Sequence, residues 1–156
     1  MSAACESYTA SYPAVPESVP SARTALTEFA ADAGAQGERL EAIRLAASEA
    51  VTNAVVHAYP DRAHDHGAGV QITASRVDDD VWVLVGDEGV GLHSNGSASK
   101  GLGLGLALIA QLADGLEIAS RGTGGTELRM RFRLRAPGPV GESHTRGSVA
   151  DACAPA

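Results

Sequence analysis

A chain of 156 residues, 44% hydrophobic and 20% charged, is long enough for one domain with its own core and sits close to the globular average. Nineteen acidic against twelve basic residues leave a net charge of −7, which argues against nucleic acid as the main partner and leaves a basic protein partner open. No apolar run approaches the ~20 residues of a membrane helix, and the N-terminus lacks the basic start and apolar stretch of a signal peptide. Two cysteines, Cys5 and Cys153, lie near opposite ends and make neither a metal cluster nor a disulfide framework, so the expected setting is cytoplasmic, with no membrane role.

In chain order, ESYTASY (6–12) alternates weakly and reads as a strand. PESVPSARTALTEFAADAG (16–34) reads as a helix that starts near Ser18 or Ser21 and ends at Gly34. GERLEAIRLAASEAVTNAVVHAY (37–59) is a long helix stopped before Pro60. DRAHDHGAG (61–69) is a polar loop; His64, Asp65 and His66 lack further ligands at metal-site spacing. GVQITASRV and VWVLVGD are strands joined by an acidic turn, Asp78-Asp79-Asp80. EGVGLHSNGSASK (88–100) is glycine- and serine-rich and reads as a mobile loop.

GLGLGL (101–106) is a poor strand, because three glycines would strip one face of side chains at an entropic cost. Leu104, Leu108 and Leu112 then recur at helical spacing, and Gly115 is a plausible helix-ending glycine, so the stretch reads as a glycine turn feeding a helix. LEIASR and TELRMRFRL (116–121 and 126–134) form a second hairpin around GTGG. From Ala136 the composition turns to Pro, Gly, Ser and Ala, which predicts a single domain over 1–135 and a disordered tail over 136–156. The element order predicts an α+β two-layer sandwich, with helices on one face of a mostly antiparallel sheet.

Three places could hold chemistry. A side-chain-free helix start lets phosphate oxygens reach unpaired amides, although the same glycines would serve a loop that only needs tight packing. Neither a Walker P-loop nor a dinucleotide fingerprint matches, since Lys100 precedes the glycines and the spacing is GxGxG. In the long helix, Leu40, Ile43, Ala47, Val51, Ala54 and Ala58 make the core side. Glu49, Asn53 and His57 step by four along the other side, beside Ala42, Leu45, Ala46 and Val56. Small apolar neighbours suit a cleft wall better than the alternative, a solvated face. His57 is read as a packing or hydrogen-bonding histidine.

Along the second valine-rich strand, Val81, Val83, Val85 and Asp87 share a face. Either Asp87 points inward and needs hydrogen-bond donors, or it has left the strand and caps the turn at Gly89 and Gly91. An inward carboxylate can only accept, so it would prefer adenine, with its exocyclic amino donor, over guanine.

Taken in order, these stretches resemble the N, G1, G2 and G3 boxes of the GHKL, or Bergerat-fold, ATPases. Within that superfamily SEAVTNAVVHAY resembles the N box of the anti-sigma factor serine kinases of RsbW and SpoIIAB type. Asp87-Glu88-Gly89-Val90-Gly91 matches DxGxG, Gly101, Gly103 and Gly105 match the second glycine box, and Gly124-Gly125-Thr126 the third. The resemblance covers roughly residues 6–134. It implies ATP and Mg²⁺ as cofactors. Asp87 would accept from the adenine amino group, supported by Thr126. Asn53 would be a Mg²⁺ ligand and Glu49 the general base that deprotonates a serine hydroxyl. Gly89, Gly91, Gly101, Gly103 and Gly105 would line the nucleotide, and Lys100 either reaches a phosphate or is an ordinary solvated lysine. The implied partners are a sigma factor and an anti-sigma factor antagonist, the serine substrate; a homodimer, common in that family, stays open. Two other readings stay open as well: a nucleotide- or partner-binding module without kinase activity, and a detached histidine-kinase-type catalytic domain.

Overall fold

The computed structural model describes residues 6–57, 68–89, 102–122 and 124–135, with backbone only at His57 and Leu102. Alternating and β-branched segments become strands, and segments with 3.6-residue periodicity become helices: β1 (Ser7–Pro13), α1 (Ser18–Asp32), α2 (Gly37–His57), β2 (Gly69–Val77), β3 (Asp80–Asp87), α3 (Leu102–Leu112), β4 (Gly115–Ser120) and β5 (Thr126–Arg133). The five strands form one sheet in the order β1-β2-β3-β5-β4, and every neighbouring pair is antiparallel. The chain therefore folds as the α+β sandwich its sequence predicts.

One sheet face carries Val70, Ile72 and Ala74 from β2, Val81, Val83 and Val85 from β3, and Leu128, Met130 and Phe132 from β5, all buried. Each such Val, Ile, Leu, Met or Phe side chain contributes about 1.5–3 kcal/mol on leaving water. α2 packs across this face between α1 and α3. Its buried positions 46, 47, 50 and 54 are all alanine, so both flanking helices can approach closely. This burial extends beyond the stripe expected from spacing: Ala46, placed on the cleft side by periodicity, is fully buried because α2 has neighbours on two flanks as well as beneath it.

Local chemistry sets the element ends. α1 stops at Gly34, whose φ of 105° suits a residue without Cβ. The Gly34 and Ala35 N–H groups donate back to Ala31 O and Ala30 O at 3.0 and 2.8 Å, the paired bonds of a Schellman cap. The β2–β3 turn is tighter than the three-aspartate turn expected. Asp80 already pairs with Val77, leaving Asp78 and Asp79 as the turn, with Asp78 at φ 54°. Aspartate tolerates that conformation better than most residues.

α3 departs from expectation at both of its ends. It begins at Leu102, so Gly103 and Gly105 lie inside its first turn and not in a loop before it. Its buried stripe runs through Gly105 and Ile109, while Leu104 is 78% exposed, because the helix turns its glycine face to α2. It ends at Leu112, and Gly115 opens β4 instead of closing the helix. Asp114 then ties three elements: its Oδ2 accepts from Arg39 Nη1 on α2 at 3.1 Å and from the Arg133 main-chain N–H at 2.7 Å.

The loop around His64, Asp65 and His66, most of the glycine/serine segment (Val90 to Gly101) and the tail from Ala136 lie outside the described residues, as do Cys5 and Cys153. Among the described residues no helix is long and apolar enough to cross a membrane.

Candidate functional site

Asp87 is the last residue of β3 and still pairs with Val70. It is 7% exposed and continues the face of Val81, Val83 and Val85, so strand alternation aims it inward. Its Oδ1 accepts from the Gly89 N–H at 2.9 Å and from the Thr126 N–H at 3.3 Å. The inward reading of Asp87 holds, since the residue has not left the strand; of the turn-capping reading only the Gly89 bond is seen, and Gly91 lies outside the described residues. Thr126 contributes through its main chain. Burial is the dominant influence on the carboxyl pKa and pushes it up; the Gly89 and Thr126 N–H bonds, and then the positive Arg121, pull it part of the way back.

The β4–β5 connection makes this geometry possible. Arg121 N–H donates to Gly125 O and Gly124 N–H to Arg121 O, closing a tight turn with Gly124 at φ 105°. Gly125 lies so close to β3 that a Cβ built there would fall on the Asp87 main-chain carbonyl. Only glycine fits, and that approach is what brings the Thr126 N–H to the carboxylate.

The second wall is α2 against the start of α3. Asn53 is 8% exposed, Glu49 is half-buried one turn earlier, and Leu45 and Val56 flank them at 42% and 53% exposure. The polar pair is thus more buried than the apolar residues that flank it. A Cβ placed on Gly105 would lie 3.1 Å from Glu49 Oε2, 3.2 Å from Asn53 Oδ1 and 3.3 Å from Asn53 Nδ2. The bare glycine thus leaves the two polar side chains room to converge. Asn53 Nδ2 is buried and has no hydrogen-bond partner among the described residues, an arrangement that costs free energy unless a ligand supplies the acceptor. The amide also offers a hard carbonyl oxygen, of the kind Mg²⁺ takes, so the residues present fit a metal–nucleotide ligand.

Of the site residues expected from sequence, Glu49, Asn53 and Gly105 meet at one point, and Asp87, Gly89 and Thr126 at another. Gly103 stands exposed in the first turn of α3, where main-chain N–H groups lack intrahelical acceptors. Gly91, Lys100 and Gly101, and the side chain of His57, lie outside the described residues. Sequence reasoning missed Gly86, Gln71 and Arg121, which cross the back of the sheet behind Asp87. A glycine inside the valine-rich strand was the available signal, since an interior strand glycine often marks a close approach.

Comparison with known proteins agrees with this fold. The family of the histidine kinase-like ATPase domain matches residues 12–132. The anti-sigma F factor of Clostridium perfringens is 31% identical over 123 residues, 72% of this chain and 86% of the relative. That of Oceanobacillus iheyensis is 29% identical over 133 residues, 79% and 89% respectively. Among solved structures, the RsbU and RsbW domains of Rv1364c from Mycobacterium tuberculosis superpose with a TM-score of 0.65 at 26% identity. That match covers 85% of this chain and 33% of the longer one. A chain of the SiaB–SiaC complex from Pseudomonas aeruginosa shares the fold, with a TM-score of 0.65 at 16% identity, over 80% of this chain and 88% of that one. The chain belongs to the histidine kinase-like ATPase domain family and groups within it with the anti-sigma F factors.

Proposed function

We propose that this chain is an ATP-dependent protein serine/threonine kinase and anti-sigma factor, with residues 1–135 as its single catalytic domain. It sequesters a sigma factor and phosphorylates a serine of an anti-sigma factor antagonist. The observation that carries the reading is the convergence of Glu49 Oε2 and the unpaired Asn53 amide over Gly105. Similarity to the anti-sigma F factors supports the sigma-factor half, and the SiaB–SiaC complex, in which a chain of this fold has a protein partner, supports the other.

In this reading Asp87 accepts the adenine amino group, with Gly89 and Thr126 N–H groups holding the carboxylate. Guanine, with a carbonyl at that position, meets an acceptor and is rejected. Asn53 Oδ1 would hold Mg²⁺, which would neutralise charge on the phosphates. The first amides of α3 and its dipole favour phosphate at the Gly103–Gly105 end, and Lys100 and Gly101 precede it in the chain. Glu49 accepts the proton of the serine hydroxyl as its oxygen attacks the γ-phosphorus; the bond to the β–γ bridging oxygen breaks and ADP leaves.

The test is calorimetry with ATP and GTP beside a labelled-phosphate transfer assay to candidate antagonists. ATP binding with Mg²⁺, weak GTP binding and serine phosphorylation are expected. Equal affinity for the two nucleotides would sink the adenine assignment. Binding of ATP and a sigma factor without transfer to any antagonist would make the chain a binding module.

A further inference from the structure

We infer that Arg121 is a positioning residue for the nucleotide site: its guanidinium, laid over Gly86 on the outer face of the sheet and tied to Gln71, fixes the strand end that carries Asp87. The inference rests on the reading of Asp87 as the adenine acceptor. Gln71, Gly86 and Glu127 are register partners and form one row across β2, β3 and β5. Arg121 leaves the β4–β5 turn and spans that row, donating from Nη2 to Gln71 Oε1 at 2.8 Å. A Cβ on Gly86 would lie 3.0 Å from Nη1, 3.3 Å from Cζ and 3.6 Å from Nε, so the guanidinium fills the space of the missing side chain.

Glycine is the most mobile residue a strand can place before a ligand-binding carboxylate. The arginine removes that freedom from the side opposite the ligand. Nη1 is buried without a partner among the described residues, so hydrogen bonding alone does not account for its place. The charge sits behind Asp87 and favours its ionised form. Other ionisable groups about this strand end are Glu88, next in the chain, and Glu127 on β5, which is ion-paired to Arg129 Nε at 2.7 Å. Both are acidic and Arg129 is committed to Glu127 and Glu117, which leaves Arg121 as the cation among the described residues that offsets burial of the carboxylate.

The experiment is ATP calorimetry on the full chain across pH for Arg121→Met, Arg121→Lys, Gly86→Ala and the Gly86→Ala/Arg121→Met pair, with Asp87→Asn as control. Arg121→Met keeps the stem and loses the charge, and should weaken ATP binding about tenfold. Its binding should also be lost at higher pH than in the wild type, because Asp87 protonates earlier. Arg121→Lys should restore that acid limb while recovering only part of the affinity, since one ammonium cannot both cover Gly86 and reach Gln71. Gly86→Ala should weaken binding in the wild type, where it displaces the guanidinium, and cost nothing further beside Arg121→Met. Wild-type affinity and an unmoved acid limb in Arg121→Met, or strict additivity of the pair, would overturn the role while Asp87→Asn still abolished binding. Normal ATP binding by Asp87→Asn would instead remove the nucleotide reading beneath it.

Discussion

At the Asp87 wall of the cleft, the Oδ1 acceptor is paired with two main-chain donors, and the strand beneath it is locked by β2, by β5 and by the Gly125 approach. At the Asn53 wall, an amide nitrogen is buried with no partner among the described residues and a half-buried carboxylate stands beside it over a bare glycine. The first wall is complete before a ligand arrives; the second is completed by one. That difference matches what each wall would do. Holding a base needs a fixed acceptor, whereas transferring a phosphoryl group needs polar atoms whose best partners exist only when metal, phosphate and hydroxyl are in place.

The largest expected effect lies on the unfinished wall. Glu49→Gln keeps the shape and the hydrogen-bonding length but removes the basic oxygen. Phosphorylation of a cognate antagonist should fall by about 10²–10⁴, while ATP affinity should stay within a few fold. A transfer assay run beside calorimetry on one preparation measures both. Transfer at the wild-type rate would mean that Glu49 is not the base.

The finished wall should break by sterics. Gly125→Ala places a methyl on the Asp87 carbonyl, so β3 and the β4–β5 turn must part. Overpacking of this kind costs roughly 1–3 kcal/mol or more, and it also withdraws the Thr126 N–H from the carboxylate. A lower urea midpoint together with lost ATP binding is expected. The neighbouring Gly124→Ala is strained by its φ of 105° yet meets nothing closer than Gly89 O at 4.0 Å, and should cost less.

Asn53→Ala sharpens the comparison in a third way. It removes the unpaired nitrogen and the hard oxygen together, so the free protein loses little while Mg·ATP binding weakens about tenfold, the scale of one charge-assisted contact. Metal-free ATP should bind nearly as in the wild type. Equal losses with and without Mg²⁺ would show that the amide serves the nucleotide and not the metal.

What the sequence made legible follows the same division. Strand alternation placed Asp87 with Val81, Val83 and Val85, and burial agrees, because period two leaves only two choices of face. Helical spacing grouped Glu49 with Asn53 for a similar reason. Periodicity found the helix in α3 through Leu104, Leu108 and Leu112 but did not show its buried face, which runs through Gly105 and Ile109. A glycine carries no hydropathy signal, so a helix face chosen for close approach to two polar side chains is invisible to a pattern of leucines. Arg121 escaped for another reason. Its meaning depends on reaching across two strands to Gln71, a distance of 50 residues in sequence, and the local pattern of a hairpin turn says nothing of it.

The smallest expected effect is on the stability of the free protein, and its sign opposes function. Asp87 has its carboxyl pKa raised by burial, beyond what the Gly89 and Thr126 bonds and Arg121 restore. A raised pKa in the folded state means the ionised carboxylate weighs against folding at neutral pH. That burden is present in full above the folded pKa, shrinks as pH falls through it, and is gone below the unfolded value of 3.8. Asn at this position keeps an oxygen to accept from both N–H groups and never ionises. Asp87→Asn should therefore melt above the wild type at neutral pH in the absence of nucleotide, and the two curves should draw together as the pH is lowered. The same variant should lose ATP binding, because the amide replaces the fixed acceptor with a side chain that can also present a donor to the adenine amino group. Thermal melts across pH, with and without Mg·ATP, separate the two effects: the wild type should gain stability from the ligand, and Asp87→Asn should not. A variant that melts lower than the wild type at neutral pH would show that the carboxylate's hydrogen bonds outweigh its burial, and that this wall is held in place by its charge and not in spite of it.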